Sequence, residues 1–193
     1  ATSTMMSAFE AANFHEGESI LILGAGMLGL TAVAIARSRK AAQIACLDFL
    51  DPRLSMASEL GANIICNPNL WKYPHPSEPY GWDVVIETSG ATKAVELGME
   101  SVRQGGRLVL VGSVWPDVAM QLMPEQIVRK CLTIVGLHNY KPRHLVEAVE
   151  FLESPAAKGL EKLVSIWFDL DSISDAAQLS CESNEHIRIG LRP

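Results

Sequence analysis

The feature that most constrains this chain is a glycine turn set between two apolar runs. Ile20–Leu23 is short enough for one buried strand, Gly24-Ala25-Gly26-Met27-Leu28-Gly29 follows, and an uncharged, Ala-rich segment continues to Ala36. A second apolar run, Ile44–Leu47, ends on Asp48, which stands 19 residues after Gly29. Each glycine has a physical task if this turn cradles a dinucleotide. Gly24 permits the tight exit from the strand, Gly26 lets a pyrophosphate approach the backbone, and Gly29 lets the helix pack closely on the strand. The helix start then points unpaired N–H groups and its positive dipole end at the phosphates. An acid about 20 residues further on accepts from the ribose hydroxyls, and Asp48 has that place.

Glycines collect in loops, so the motif by itself specifies no ligand; its strand–turn–helix context does. The competing reading is a membrane helix, because Ile20–Ala36 carries no charge. Those residues only reach the lower limit of the roughly 17–25 that a spanning helix needs, and glycines crowd their first half.

The 193 residues suffice for one domain or for one domain plus part of another. A formal charge of −6, without a Lys/Arg run or interleaved aromatics, argues against nucleic acid and anionic membrane surfaces as partners. The N-terminal ATSTMMSAFEAA has no basic stretch followed by an apolar core, so no secretory signal is expected there. Cys46, Cys66, Cys131 and Cys181 form no CxxC pair, which suits a reducing compartment, and a cytoplasmic location is expected. His15, His75, His138, His144 and His186 are likewise scattered, so no metal site is expected within this chain.

Residues 1–17 read as a helix with Met5, Met6 and Phe9 on one core-facing stripe and Gly17 near its end. After Asp48, Asp51 as N-cap and Pro52 at the first helical position predict a helix through LSMASEL that stops at Gly61. Strands are expected at Asn63–Cys66, Asp83–Glu87 and Arg107–Val111, with a helix from Ala91 to Arg103 closed by Gly105-Gly106. Residues 67–82, with four prolines and no hydrophobic period, read as a surface loop. Pro124–Lys130 reads as a short helix and Leu132–Gly136 as a sixth strand.

Strands and helices in this alternation give an α/β fold of Rossmann type, a doubly wound parallel sheet of about six strands. Its ligand would lie across the strand ends at Gly24–Gly29, Asp48, Thr88–Gly90 and Val111–Ser113. The apolar edge strand Leu132–Gly136 predicts a homodimer paired through it. Beyond it come a helix from about Pro142, a strand in KLVSIWFDL, a helix in DSISDAAQLS capped by Asp171 or Ser172, and a last strand in HIRIGLRP. This portion does not repeat the preceding pattern and reads as part of a second layer or domain.

The order GAGMLG, Asp48, VVIETSG, GGRLVLVGS and LTIVG resembles the medium-chain dehydrogenase/reductase superfamily, the zinc-containing alcohol dehydrogenases, over nearly the whole chain. LHNYKPRHL is most similar to a subgroup associated with phosphonate catabolism. The resemblance implies three parts: residues 1–17 as a linking helix from the catalytic domain, 18–137 as an NAD-binding domain, and 138–193 as a C-terminal remnant of the catalytic domain. It implies NAD as cofactor and a small alcohol or carbonyl compound as substrate, with hydride transfer between alcohol and carbonyl. Residue by residue, it assigns Gly24, Gly26 and Gly29 to the pyrophosphate turn, with backbone N–H groups from Met27 and Leu28. Asp48 and Arg53 take the adenosine ribose. Ser89, Val111 and Ser113 mark the path towards the nicotinamide, and His138 offers backbone there. Arg188 reaches the pyrophosphate and Thr4 the nicotinamide ring. The Cys and His–Glu zinc ligands of the family have no counterpart here, so zinc is expected in a full-length enzyme but not in this chain. The chain by itself would bind cofactor without catalysis. Two alternatives stay open: a zinc-free, quinone-reductase-like relative, and a free-standing dinucleotide-binding module.

Overall fold

The computed structural model describes residues 1–72, 80–182 and 186–193. Seven helices are described: α1 (Thr2–Ala11), α2 (Met27–Ser38), α3 (Asp51–Leu60), α4 (Thr92–Ser101), α5 (Pro124–Arg129), α6 (Pro142–Glu153) and α7 (Ile173–Glu182). The strands are β1 (Ser19–Leu23), β2 (Gln43–Leu47), β3 (Ile64–Cys66), β4 (Trp82–Glu87), β5 (Val102–Leu110), β6 (Thr133–Gly136), β7 (Val164–Asp169) and β8 (Arg188–Arg192). The first six form one parallel sheet in the order β3-β2-β1-β4-β5-β6. Its direction of winding reverses between β1 and β4, which makes that boundary the topological switch point.

Two-residue periodicity divides the strand side chains between two cores. Ile20 and Ile22 of β1, with Ile44 and Cys46 of β2, face the helical layer of α1, α2, α3 and α6. Leu21, Leu23, Ala45 and Leu47 face the opposite layer, beside Val95 and Met99 of α4. The Met5, Met6 and Phe9 stripe is buried in the first layer, as expected. Burial also pushes the Cys46 thiol far above its ordinary range, with the Asp48 carboxylate adding to the effect, so it packs there as a small hydrophobe.

Several boundaries differ for identifiable reasons. α1 stops at Ala11, because Asn13 takes a positive φ of 46° and Gly17 one of 86°. Asp51 lies inside α3, whose N-cap is Leu50. The side chain that serves this entry is Asp48, whose Oδ1 accepts the Leu50 N–H at 3.0 Å. α3 ends as expected at Gly61, with a φ of 119°. α4 ends at Ser101 and the chain is already extended at Val102, which pairs with Trp82. Residues 103–106 bulge before pairing resumes at Val84 and Arg107. Arg103 Nε is 2.5 Å from Asp83 Oδ1, and a Cβ on Gly106 would lie 2.6 Å from Val102 Cγ2. The two glycines therefore shape a bulge in β5 instead of closing a helix. Within the proline-rich stretch, Pro68–Leu70 forms a 3₁₀ turn capped by Asn67, and residues 73–79 lie outside the described residues.

The C-terminal part is separate from the large sheet: β7 and β8 pair in parallel as a two-stranded sheet joined through α7. A 3₁₀ turn, Leu170–Ser172, holds the two expected cap residues just before α7. α6 is fastened to α1 by a polar knot. His144, buried on the first turn of α6, accepts the Lys141 N–H at its Nδ1, which leaves Nε2 as the protonated nitrogen 2.5 Å from Glu10 Oε2. Hydrogen bonds from Arg143 and His144 hold the Glu10 carboxyl down to about 2. On the outer face of α6, Leu145, Val149 and Leu152 stay half-exposed, as do Trp167, Leu170 and Ile173 nearby in the chain.

Candidate functional site

The carboxyl end of β1 meets the start of α2 through the glycine turn, and the three glycines differ in what they permit. Gly24 has a φ of 100°, and a Cβ there would lie 3.0 Å from Ser89 Cβ. Gly29 brings α2 down on the turn: a Cβ would lie 1.8 Å from the Gly24 carbonyl oxygen. Gly26, the N-cap of α2, would place a Cβ within 4 Å of nothing. The protein thus leaves open space at the middle glycine and none at the other two. Leu30 is the first amide to bond back, to Gly26 O at 2.9 Å, so the amides of Met27, Leu28 and Gly29 precede the helical ladder.

Asp48, half-buried just past the end of β2, ties this turn to its neighbour. Its Oδ2 accepts the Ala25 N–H at 2.7 Å, while Gly24 N–H donates to Leu47 O at 2.8 Å. A carboxylate has about four acceptor positions, so two donors do not exhaust it. Beside it lies a cleft of about 490 Å³ bounded by Gly24, Gly26, Asp48, Phe49, Arg53, Pro68, Thr88, Ser89 and Ala91. Arg53 contributes a buried Nε without a hydrogen-bond partner.

At the next strand ends, Thr88 Oγ1 lies 3.0 Å from Leu23 O and 2.9 Å from Gly24 O. The Glu87 carboxylate, fully buried, accepts from Ser89 and Gly90 on one oxygen and from Ser113 Oγ on the other.

The cleft therefore gathers Gly24, Gly26, Asp48, Arg53 and Ser89 of the expected residues, with Gly29 directly beneath. Met27 and Leu28 are half-buried at the helix start, their side chains packed on the core. Val111 is buried and Ser113 exposed at the end of β5, joined to the β4 turn but outside the cleft lining. His138 is exposed two residues after β6. Thr4 is half-buried on α1, and Arg188 is exposed on β8, where its charge, after burial, pushes down the Ala1 ammonium. None of these three borders the cleft. Sequence reasoning missed Phe49, Pro68 and Ala91 as cleft walls and Glu87 as the anchor of Ser89, Gly90 and Ser113. For Glu87 a signal existed: it is the one charged residue closing the apolar run VVIE. Among the described residues, no group of three His, Cys, Asp or Glu side chains could hold a metal ion. The described residues therefore do not fit the zinc of the resemblance.

A parallel sheet in this order, with a glycine turn at the switch point and an acid after β2, defines a Rossmann-type nucleotide-binding fold. Its particular family follows from comparison with known proteins. Residues 28–154 match the zinc-binding dehydrogenase family, and the chain belongs to it. Over 190 residues it is 28% identical to an uncharacterized zinc-type alcohol dehydrogenase-like protein, YdjJ, of Escherichia coli, covering 96% of this chain and 53% of that protein. It is 35% identical to the L-threonine 3-dehydrogenase of Pyrococcus horikoshii over 68% of this chain and 38% of that one. The crystal structure of an alcohol dehydrogenase from Thermotoga maritima superimposes with a TM-score of 0.91 at 28% identity, covering 99% of this chain and 54% of the other. The chain thus spans about half the length, or less, of these relatives.

Proposed function

We propose that this chain is the cofactor-binding portion of a nicotinamide-dependent alcohol dehydrogenase, and that NAD is its preferred dinucleotide. The observation that carries this reading is the open space at Gly26, facing the unladdered amides of α2 and lying along the cleft from Asp48. A Cβ-free cradle of that kind fits a pyrophosphate, and the Arg53 guanidinium at the border of the same cleft would bring positive charge to an anion or a donor to a ribose oxygen. Gly24, Gly26, Gly29 and the amides of Met27 and Leu28 would hold the pyrophosphate. Asp48 would accept from the adenosine ribose, where its negative charge disfavours the 2′-phosphate of NADP. Ser89, Val111, Ser113 and the His138 backbone would flank the path to the nicotinamide, Thr4 of α1 would approach its ring, and Arg188 of β8 would reach the pyrophosphate. The nicotinamide supplies hydride chemistry between an alcohol and its carbonyl; this chain's residues bind and orient it.

We read residues 18–137 as the cofactor domain and 1–17 with 138–193 as part of a catalytic domain. The half-exposed apolar residues of α6, β7 and α7 support that division, since a face of this kind calls for a covering layer. The edge position of β6, with exposed Val114, Trp115 and Val118 in the preceding segment, supports a homodimer. The four free cysteines support a cytoplasmic setting. NADH fluorescence titration of the 193-residue chain tests the main reading. Saturable binding, stronger than that of NADPH, is expected, and no binding of either overturns it.

A further inference from the structure

The strand ends beyond β1 are organised around one carboxylate that faces no solvent. Glu87 closes β4 and is fully buried. Its Oε1 accepts the Ser89 N–H at 2.6 Å, the Ser89 hydroxyl at 2.7 Å and the Gly90 N–H at 2.7 Å. Its Oε2 accepts the Ser113 hydroxyl at 3.3 Å. Its own carbonyl oxygen accepts the Val111 and Gly112 amides at 2.9 and 3.1 Å. One residue therefore grips the turn after β4 and the turn after β5 with both side chain and backbone.

The two turns also touch without side chains between them. A Cβ on Gly90 would lie 2.6 Å from the Gly112 carbonyl oxygen, and one on Gly112 would lie 2.4 Å from the Gly90 nitrogen. Thr88 extends the unit to the glycine turn through Leu23 O and Gly24 O. A buried carboxylate is costly to keep unless its oxygens are satisfied, and here the recorded donors come from two turns: the one after β4 borders the cleft through Ser89, and the one after β5 packs against it. If Glu87 served only to join secondary structure, ladder pairing of β4 and β5 would suffice up to its partner Leu110.

We infer that Glu87 is a positioning residue for the dinucleotide: it does not touch the ligand but fixes Ser89, Val111 and Ser113 relative to the glycine turn. This inference rests on the dinucleotide reading above. Withdrawing the side chain by one methylene breaks its reach across the two turns, which are then free to move apart and displace the Ser89 wall of the cleft.

The test pairs Glu87→Asp with Glu87→Gln. Glu87→Asp keeps the charge but cannot span both turns. In Glu87→Gln the amide oxygen keeps the three Oε1 donors, and its NH₂ donates to Ser113 Oγ. On chains shown to be folded by near-ultraviolet circular dichroism at 10 °C, Glu87→Asp is expected to bind NADH at least tenfold more weakly than wild type. Glu87→Gln should stay within about threefold. Unchanged affinity in folded Glu87→Asp overturns the inference, as does an equal loss in Glu87→Gln. Wild type that binds no NADH overturns the dinucleotide reading itself, a distinct result. Amide exchange on the wild-type chain needs no variant. The Ser89 and Gly90 amides should exchange as slowly as strand amides, and loop-like exchange overturns the inference.

Discussion

Asp48→Asn separates the two tasks placed on one carboxylate. In the free protein Asp48 accepts from Ala25 N–H at 2.7 Å and from Leu50 N–H at 3.0 Å. The amide that replaces it keeps one oxygen for one of these donors and turns an NH₂ group towards the other. Hydrogen bonds to a charged group contribute about 1.5–3 kcal/mol, and neutral ones about 1 kcal/mol. Losing the charge should therefore weaken the ribose contact by about 1–2 kcal/mol, roughly 5- to 30-fold in NADH affinity. NADPH, which gains relief from repulsion at its 2′-phosphate, should lose less or gain. The assay is paired fluorescence titration with NADH and NADPH, alongside urea denaturation to register the cost to the glycine turn. The expected signature is a shift of at least fivefold in the NADH/NADPH affinity ratio together with a small loss of stability. A stability loss with an unmoved ratio would show that Asp48 only fastens Ala25 and Leu50, and the ribose role would be refuted.

Three further outcomes follow from other parts of the fold. Gly29→Ala forces a Cβ to 1.8 Å from the Gly24 carbonyl oxygen, so α2 must retreat. A loss at or above the upper end of the roughly 1–3 kcal/mol range of overpacking is expected in urea unfolding, and an unchanged midpoint would contradict the packing. Asp83 sits where burial would raise its carboxyl, but bonds from Ser19 N–H, Arg103 and Ser19 Oγ outweigh that and hold it below the ordinary range. The native state then binds fewer protons than the unfolded chain. The stabilisation is full above the unfolded value near 3.9 and lost as pH falls through the lowered one. Urea midpoints should fall below about pH 4, less steeply in Asp83→Asn; parallel curves would refute this. Sedimentation should give twice the 21.0 kDa of one chain, reduced to one chain by Trp115→Asp, and a monomeric wild type would end the edge-strand dimer.

What the sequence disclosed and what it hid divide along physical lines. The glycine turn and Asp48 were legible because their work is local: a strand, a turn and a helix must follow in order for the spacing to make sense. The two-sided core was legible from runs such as Ile20–Leu23, since buried parallel strands are apolar on both faces. Gly105-Gly106 misled because a glycine pair after a helical run resembles a helix stop. Only the pairing of β4 with β5, which steps from Val102 to Arg107 while β4 steps from Trp82 to Val84, shows it to be a bulge. Asp51 followed by proline likewise read as a cap, although Asp48 already held the Leu50 amide. His144 meets Glu10 across 134 residues, a pairing that no local spacing announces. Glu87 stayed hidden for the same reason: its partners converge only when two strand ends are laid side by side. Thr4, His138 and Arg188 were assigned through resemblance, and their places lie outside the cleft lining.

The central claim is that the open space at Gly26 is where a dinucleotide's pyrophosphate meets the backbone. Gly26→Val fills that space with a side chain that meets no protein atom at its Cβ, so the fold should persist with a loss of no more than the roughly 0.5–2 kcal/mol of a poorer N-cap. NADH titration of wild type and Gly26→Val tests the claim most directly. Saturable wild-type binding is expected, with a loss of at least 100-fold in the folded variant. Equal affinity in the two proteins would contradict it.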